Sequence, residues 1–326
     1  MTMRTREITN PNVTRSRFVL EIASEMIGGK DLESVPPYFQ AKAVLRSQRL
    51  PGRTITLFGS STAEGIEAVT KREADHAIIN PAAVLSVAVK GAGMFKYPRP
   101  LRAVSVIPSW DQFVFAVRPE TGLKTLEDIA LKRPRLTIVM RGMAEHTLHP
   151  MFDDVAACAG FSRDDIKAWG GEVRKEGFLP YPGSAKFEAL VAGKIDAIFD
   201  EAAAGWANAA LEAGLTLLPL GEETVRKLEA MGYRRAVMPR AAYPRLPADL
   251  LTLDFSGWTA FVHAEAEDAL VTEICAGLDA RKDQIPWEEP GPLPVERMCR
   301  EARDTPQTVP LHPAAERYWR SKAYLP

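Results

Sequence analysis

Two stretches of this chain, Ile66-Glu67-Ala68-Val69-Thr70-Lys71-Arg72-Glu73-Ala74-Asp75-His76-Ala77 and Phe187-Glu188-Ala189-Leu190-Val191-Ala192-Gly193-Lys194-Ile195-Asp196-Ala197-Ile198, read as one pattern written twice. Each gives the end of a helix, a charged turn and a buried strand. The match is ungapped: it keeps the Glu-Ala pair, an aliphatic residue after it and the aspartate that opens the strand. A Gly-Ser stretch precedes each copy, Gly59-Ser60-Ser61-Thr62 and Gly183-Ser184. Internal repetition of a helix-turn-strand unit implies two half-molecules of one design, with a cleft between them.

The bulk properties agree with two lobes. The chain has 326 residues, 46% of them apolar, and beyond roughly 250 to 300 residues a single core usually divides. Forty-one basic and 42 acidic residues leave a formal charge of −1, and no Lys/Arg block is dense enough to follow a phosphate backbone, so nucleic acid is not an expected partner. Cys158, Cys275 and Cys299 are odd in number and far apart, without C-x-x-C spacing, and read as free thiols. The first residues, Met1 to Glu7, lack the apolar run of about 7 to 15 that an export signal needs. No run of about 18 apolar residues suggests a membrane span.

Working outward, Val19, Ile22, Ala23, Met26 and Ile27 recur at helical spacing over 13–27, ended by Gly28-Gly29. Strands are expected at 54–58 and 77–79, with βαβ punctuation that favours parallel pairing. Two apolar runs follow at 103–107 and 112–117, the second long enough to leave the first lobe. Thr125-Leu126-Glu127-Asp128 resembles a capping box, and 136–140 opens the strands of a second α/β lobe. That lobe continues through helices near 144–159, 202–213 and 222–231 and a strand at 215–218. The run 251–263, broken by Ser256-Gly257, is a second crossing, and a helix at 268–280 follows. A proline-rich tail then leads to a short helix with Tyr318 and Trp319, which would wrap a lobe to cover its aromatic residues. The expected division is 1–116 plus 255–326 for the first lobe and 117–254 for the second.

In an open α/β sheet, ligands gather beyond the carboxyl ends of the strands. In the first lobe this places Asn12, Thr14, Gly59, Ser60, Ser61, Thr62 and Asn80 at turns that can form a polar wall, or that can simply cap helices. In the second lobe the corresponding residues are Arg141, His146, Thr147, Tyr181, Ser184, Asp200 and Glu201. Arg141 has the fork geometry to clasp a ligand carboxylate, or it can form an ordinary ion pair. Asp200 or Glu201 can take an ammonium or hydroxyl, or answer a helix dipole. His146, His149 and Asp153 share a helical face, but Pro150 interrupts it and a third well-placed donor is missing, so no metal is expected. Trp110, Trp206 and Trp258 fit either a cleft wall or core. No G-x-S-x-G, P-loop, Rossmann fingerprint or H-E-x-x-H occurs, and no cofactor is implied.

The residues in order resemble the TAXI branch of the solute-binding proteins that serve TRAP-type transporters. The resemblance is carried by Thr56-Leu57-Phe58-Gly59-Ser60-Ser61-Thr62-Ala63-Glu64-Gly65, Glu73-Ala74-Asp75 through Asn80, and Gly91-Ala92-Gly93-Met94-Phe95. It continues through Leu101-Arg102-Ala103, Phe115-Ala116-Val117-Arg118, Thr121 to Asp128, Gly193-Lys194-Ile195-Asp196-Ala197 and Leu311 to Tyr318, and covers about 50 to 322. It implies a type II periplasmic-binding-protein fold: two α/β lobes, a ligand cleft between them, closure by hinge bending, and a small organic acid or amino acid as ligand. It also implies TRAP membrane subunits as partners and a periplasmic location, which the absent signal does not match. The turn Asn12 to Arg15, the Gly59 to Thr62 turn, Asn80 and the Arg141 to Thr147 turn correspond to ligand-contacting regions. Two departures stand out: Asn10 to Arg17 replaces a glycine-rich first loop, and Arg141-Gly142-Met143-Ala144-Glu145-His146 replaces a small Gly/Ser-rich turn.

Other functions remain compatible with the same scaffold. A cytosolic enzyme would use His146, Glu145, Asp200 or Glu201 as acid or base in a decarboxylation or elimination. A ligand sensor needs no chemistry at all.

Overall fold

The two echoed segments adopt one local structure in a computed structural model that describes residues 22, 40–47, 49–60 and 62–326. Helices Glu64–Thr70 and Ala185–Val191 end alike: Lys71 donates to the Glu67 carbonyl and Ala192 to the Glu188 carbonyl, each at 2.9 Å. The next residue enters the left-handed region in both copies, Arg72 at φ +61° and Gly193 at φ +71°. The N–H groups of Glu73 and Lys194 then close back on Ala68 and Ala189, each at 2.8 Å. Asp75 and Asp196 complete the motif. Their carboxylates accept from the N–H of Thr56 and of Thr137, each at 2.8 Å, while their own N–H groups return to the same residues' carbonyls at 2.9 and 3.0 Å. An arginine flanks each aspartate, Arg53 at 3.4 Å and Arg118 at 2.5 Å. Each aspartate thereby ties its strand to the directly paired strand that carries Thr56 or Thr137 and sets the register.

Contacts divide the chain at Gln40, and the unit Ala41–Pro326 carries two five-stranded sheets. In chain order the strands are β1 (Gln40–Arg46), β2 (Thr54–Ser60), β3 (His76–Ile79), β4 (Leu101–Ile107), β5 (Val114–Val117), β6 (Thr137–Met140) and β7 (Glu172–Lys175). They continue with β8 (Ala197–Asp200), β9 (Thr216–Leu217), β10 (Arg235–Met238), β11 (Leu250–Leu253) and β12 (Trp258–His263). The first sheet has the order β1-β2-β3-β12-β4, the second β7-β6-β8-β5-β9, and β10 and β11 form an antiparallel ribbon. Pairing is parallel where a helix connects the strands, at β2–β3, β6–β7 and β6–β8. It is antiparallel where a crossing strand enters, at β12 with β3 and β4 and at β5 with β8 and β9. The sheets are therefore mixed, because each lobe receives one strand directly from the other. The protein is a two-lobed α/β fold.

The crossings run side by side. Phe113 donates to the Leu253 carbonyl at 3.1 Å, Phe255 to Asp111 at 2.9 Å and Gly257 to Ser109 at 2.9 Å. The first crossing ends at Phe113, where β5 begins to pair in the second sheet.

One helix escapes amphipathic pattern reading. Ala82–Lys90 is apolar all round, and residues 82–88 are all buried, so periodicity gives no polar face to detect. It packs in a core that continues from Phe58, Ile66 and Ile79 of the first lobe to Phe152, Val225 and Leu228 of the second. At Gly232 an added Cβ would lie 3.0 Å from the backbone of Ser86 and Val87, so a side chain there would push the lobes apart. The tail wraps the first lobe as expected: Ala103 donates to the Pro310 carbonyl at 3.0 Å and accepts the His312 N–H at 2.8 Å, and fully buried Trp319 donates to the Val104 carbonyl at 2.8 Å. Tyr318 is half-buried. The helix expected over 13–27 lies outside the described residues, except for Ile22, which is helical.

The echo yields a prediction of opposite signs at equivalent positions. Left-handed backbone costs a non-glycine residue about 1 kcal/mol or more, and the Arg72 side chain holds only an exposed pair with Glu265. Arg72→Gly is expected to raise stability by about 0.5–1 kcal/mol, and Gly193→Ala to lower it by about 1–2 kcal/mol. Urea unfolding midpoints check both.

Candidate functional site

The carboxyl ends of β6 and β8 bring opposite charges out of water together. β6 runs into Arg141 and β8 ends at Asp200, which is followed by Glu201. Arg141 Nη2 donates to Asp200 Oδ1 at 2.7 Å and to Glu201 Oε1 at 3.0 Å. From the helix Ala185–Val191, Lys186 Nζ donates to Asp200 Oδ2 at 2.6 Å. Asp200 has no exposed surface, and Arg141, Lys186 and Glu201 are all buried. The cluster is thus two cations and two anions closed on themselves. Such a set costs several kcal/mol per ion in desolvation and is held by its mutual attraction.

His146 adds a neutral donor. Its Nδ1 accepts the Leu148 N–H at 3.2 Å, so the neutral ring carries its proton on Nε2, 3.5 Å from Glu201 Oε1. Burial, then the Arg141 charge, pushes the imidazole down to about 3. Burial also raises the Glu201 carboxyl despite Arg141. Asp111, at the crossing, turns its carboxylate onto the N–H groups of Ala202, Ala203 and Gln112, at 2.6, 2.9 and 2.7 Å. Burial of that carboxylate and the charge of Glu201 push it up to about 8. Ala202 sits between Glu201 and the helix Ala203–Glu212 at φ +60°, and Asp111 holds this strained residue in place.

Of the sequence candidates, Arg141, His146, Asp200 and Glu201 meet directly. Thr147 and Asn80 come from opposite lobes and join, Thr147 Oγ1 donating to the Asn80 carbonyl at 3.4 Å. The half-exposed Tyr181 ring lies against Gly205. Thr62 is buried and accepts the Glu64 N–H at 3.3 Å, and Ser184 accepts the Phe187 N–H at 3.2 Å, so both hydroxyls serve as local caps. Gly59 and Ser60 end β2, and a Cβ added at the glycine would lie 3.9 Å from the Ala41 carbonyl oxygen. Asn12, Thr14, Arg15 and Ser61 lie outside the described residues. Glu145, next to His146 in the chain, is exposed. Among the described residues no His/Cys/Asp/Glu group is arranged to hold a metal, and His149 Nε2 is already 2.8 Å from the Met143 carbonyl. Trp206 is core and donates to the Glu201 carbonyl at 2.8 Å, Trp110 lies under the Arg303 guanidinium at 3.6 Å, and Trp258 is half-exposed. An apolar cavity of about 540 Å³ lies elsewhere, walled by Ile55, Leu57, Ile78, Val104 and Leu278 of the first lobe.

Lys186, Asp111 and Phe178 escaped sequence reading. Phe178 covers Arg141, its ring centroid 4.9 Å from the guanidinium carbon. Lys186 had a signal in the echo itself. The same ungapped alignment sets Lys186 against Gly65 and Asp200 against Ile79, two charges replacing two core positions.

Two predictions follow from these charges. Asp200→Asn leaves two buried cations with one anion and is expected to cost about 3–5 kcal/mol, whereas Asp200→Asn combined with Lys186→Met should cost clearly less than the two single changes summed. Equilibrium unfolding of the three variants checks this. For pH, an unfolded imidazole protonates near 6.5 while folded His146 stays neutral down to about 3. Its contribution is therefore fully present above 6.5 and lost progressively as pH falls toward 3. Between pH 7 and pH 5 the stability difference between wild type and His146→Gln should shift by about 2 kcal/mol in favour of the variant.

Solved structures similar to this chain include the substrate-binding protein of an amino acid ABC transporter, at 16% identity over 66% of this chain and 69% of that one, with a TM-score of 0.28. Another is the periplasmic aliphatic sulphonate binding protein SsuA from Escherichia coli, at 15% identity over 67% of this chain and 56% of that one, with a TM-score of 0.33. A third is the arginine-, lysine-, histidine-binding protein ArtJ from Geobacillus stearothermophilus, at 13% identity over 67% and 69%, with a TM-score of 0.30. No curated protein matches the sequence. The model of the NMT1-like family matches residues 46–322, and the chain belongs to that family.

Proposed function

We propose that the protein is a solute-binding protein that holds a small organic molecule between its lobes and hands it to a membrane transporter. The observation that carries this reading is the meeting of strand ends from both lobes, Asn80 with Thr147, beside the buried Arg141–Asp200–Glu201 cluster. The lobes, divided near 116 and 254, are joined by two paired crossings, which is the connection a hinge needs. No helix among the described residues is long and apolar enough to cross a membrane, so a membrane partner would supply the passage. The TAXI-like order of motifs supports TRAP-type subunits as that partner. An organic acid or amino acid is the ligand class that the same likeness supports. An acid docking on Arg141 would compete with Asp200 and Glu201 for the guanidinium.

A second reading rests on one observation: burial raises the Glu201 carboxyl beside a neutral imidazole at 3.5 Å, which is an arrangement suited to proton transfer. In that case the bound compound would be turned over. Native mass spectrometry of the purified full chain should find a retained small molecule, and adding it back should raise the unfolding temperature. Conversion of that compound on incubation would favour the enzyme, and a chain that retains and responds to nothing would overturn the binding reading.

A further inference from the structure

We propose that the site selects its ligand through a protonated nitrogen head group, an ammonium or amidinium, which donates to Glu201 Oε2. This deepens the solute-binding reading and rests on it. The cations that would attract an acid are already engaged: Lys186 on Asp200, and Arg141 on both Asp200 and Glu201. The charges balance within the cluster, so an incoming carboxylate would either displace an internal anion or remain in excess.

The acceptors show the opposite state. Glu201 Oε1 faces both Arg141 Nη2 and His146 Nε2, while Oε2 of the same carboxylate is buried without a partner among the described residues. Glu201 as a whole is 8% exposed, so bulk water gives little relief. Asn80 Oδ1, beside the contact between the lobes, and Gln112 Oε1, next to Asp111, are also buried acceptors without partners. Arg141 Nε is a donor of the cluster left unpaired among the described residues. Leaving such atoms unmade costs about 1–3 kcal/mol each, and a head group rich in N–H satisfies the acceptors. Phe178, over Arg141, and Tyr181 present exposed aromatic surface, which suits a cationic or flat head group. Asp111 supplies the counter-charge: with its carboxyl pushed up to about 8 next to Glu201, an arriving cation would favour its ionised form.

The test compares probes of one shape and different charge on the full chain: benzylamine, benzamidine and benzoate, by calorimetry at pH 7. Benzylamine or benzamidine is expected to bind at least tenfold more tightly than benzoate, and Glu201→Gln to weaken the cations at least tenfold without weakening benzoate. Tighter binding of benzoate, equal binding of all three, no binding of the cations, or unchanged cation affinity in folded Glu201→Gln would each overturn the proposal. The wild-type comparison carries the test even if the variant does not fold. A competent benzoate site would overturn the cation while leaving the solute-binding reading standing, so the two fail separately.

Discussion

Asp200 sits at the end of a central strand with no exposed surface, holding Arg141 on one oxygen and Lys186 on the other. Three ionised groups in one dry place would not be stable singly, and they persist because each is the partner of another. The arrangement fixes the Arg141 turn, the first turn of the Ala185–Val191 helix and the chain leaving β8 against one another. It also decides what the site can attract. Read in the sequence, Arg141 can clasp a ligand carboxylate or form an ordinary ion pair; in the fold its carboxylates come from the chain itself.

Much of the architecture was legible because the chain writes its key joint twice. The Glu-Ala pair, the turn and the aspartate at Asp75 and Asp196 mark a helix stop and a strand clip whose hydrogen bonds repeat within a few tenths of an ångström. Such a joint is local in sequence, so pattern reading finds it. The helix Ala82–Lys90 was not found because burial on all sides removes the alternation that reveals a helix. Lys186 and Asp111 were not found because each acts on residues distant in sequence, and a charged residue near a helix start or a crossing looks like an ordinary solvated one. The turn Arg141 to Thr147 lies between β6 and the helix Leu148–Ala159, but a motif order carries no information about who neutralises whom.

The crossing segments carry more than connectivity. Asp111 is part of the first crossing, its carbonyl takes the Phe255 N–H of the second, and its carboxylate caps the start of the Ala203–Glu212 helix. Ser256 ties the same point again, accepting the Asp111 N–H at 3.1 Å and donating to its carbonyl at 3.2 Å. Movement of the lobes would therefore pull on the strained Ala202 and on Glu201 beside it. The residue that joins the crossings is thus mechanically coupled to the carboxylate with the unpaired oxygen.

The two copies of the joint also explain why the lobes are unequal partners in the site. At equivalent positions the first lobe has Gly65, Ile79 and Asn80, and the second has Lys186, Asp200 and Glu201. Gly65 lets its helix lie so close to Ala77 that an added Cβ would sit 3.3 Å from the Ala77 Cβ, and fully buried Ile79 closes the core, so the first wall ends in one neutral amide. In the second lobe the lysine and the aspartate consume each other, and Glu201 is left displaced outward with one oxygen unmatched. A scaffold duplicated without these exchanges would offer two neutral walls. The exchange of two core positions for an ion pair is what sets a carboxylate at the end of β8, and under the proposed binding reading selectivity for a ligand would reside on that side.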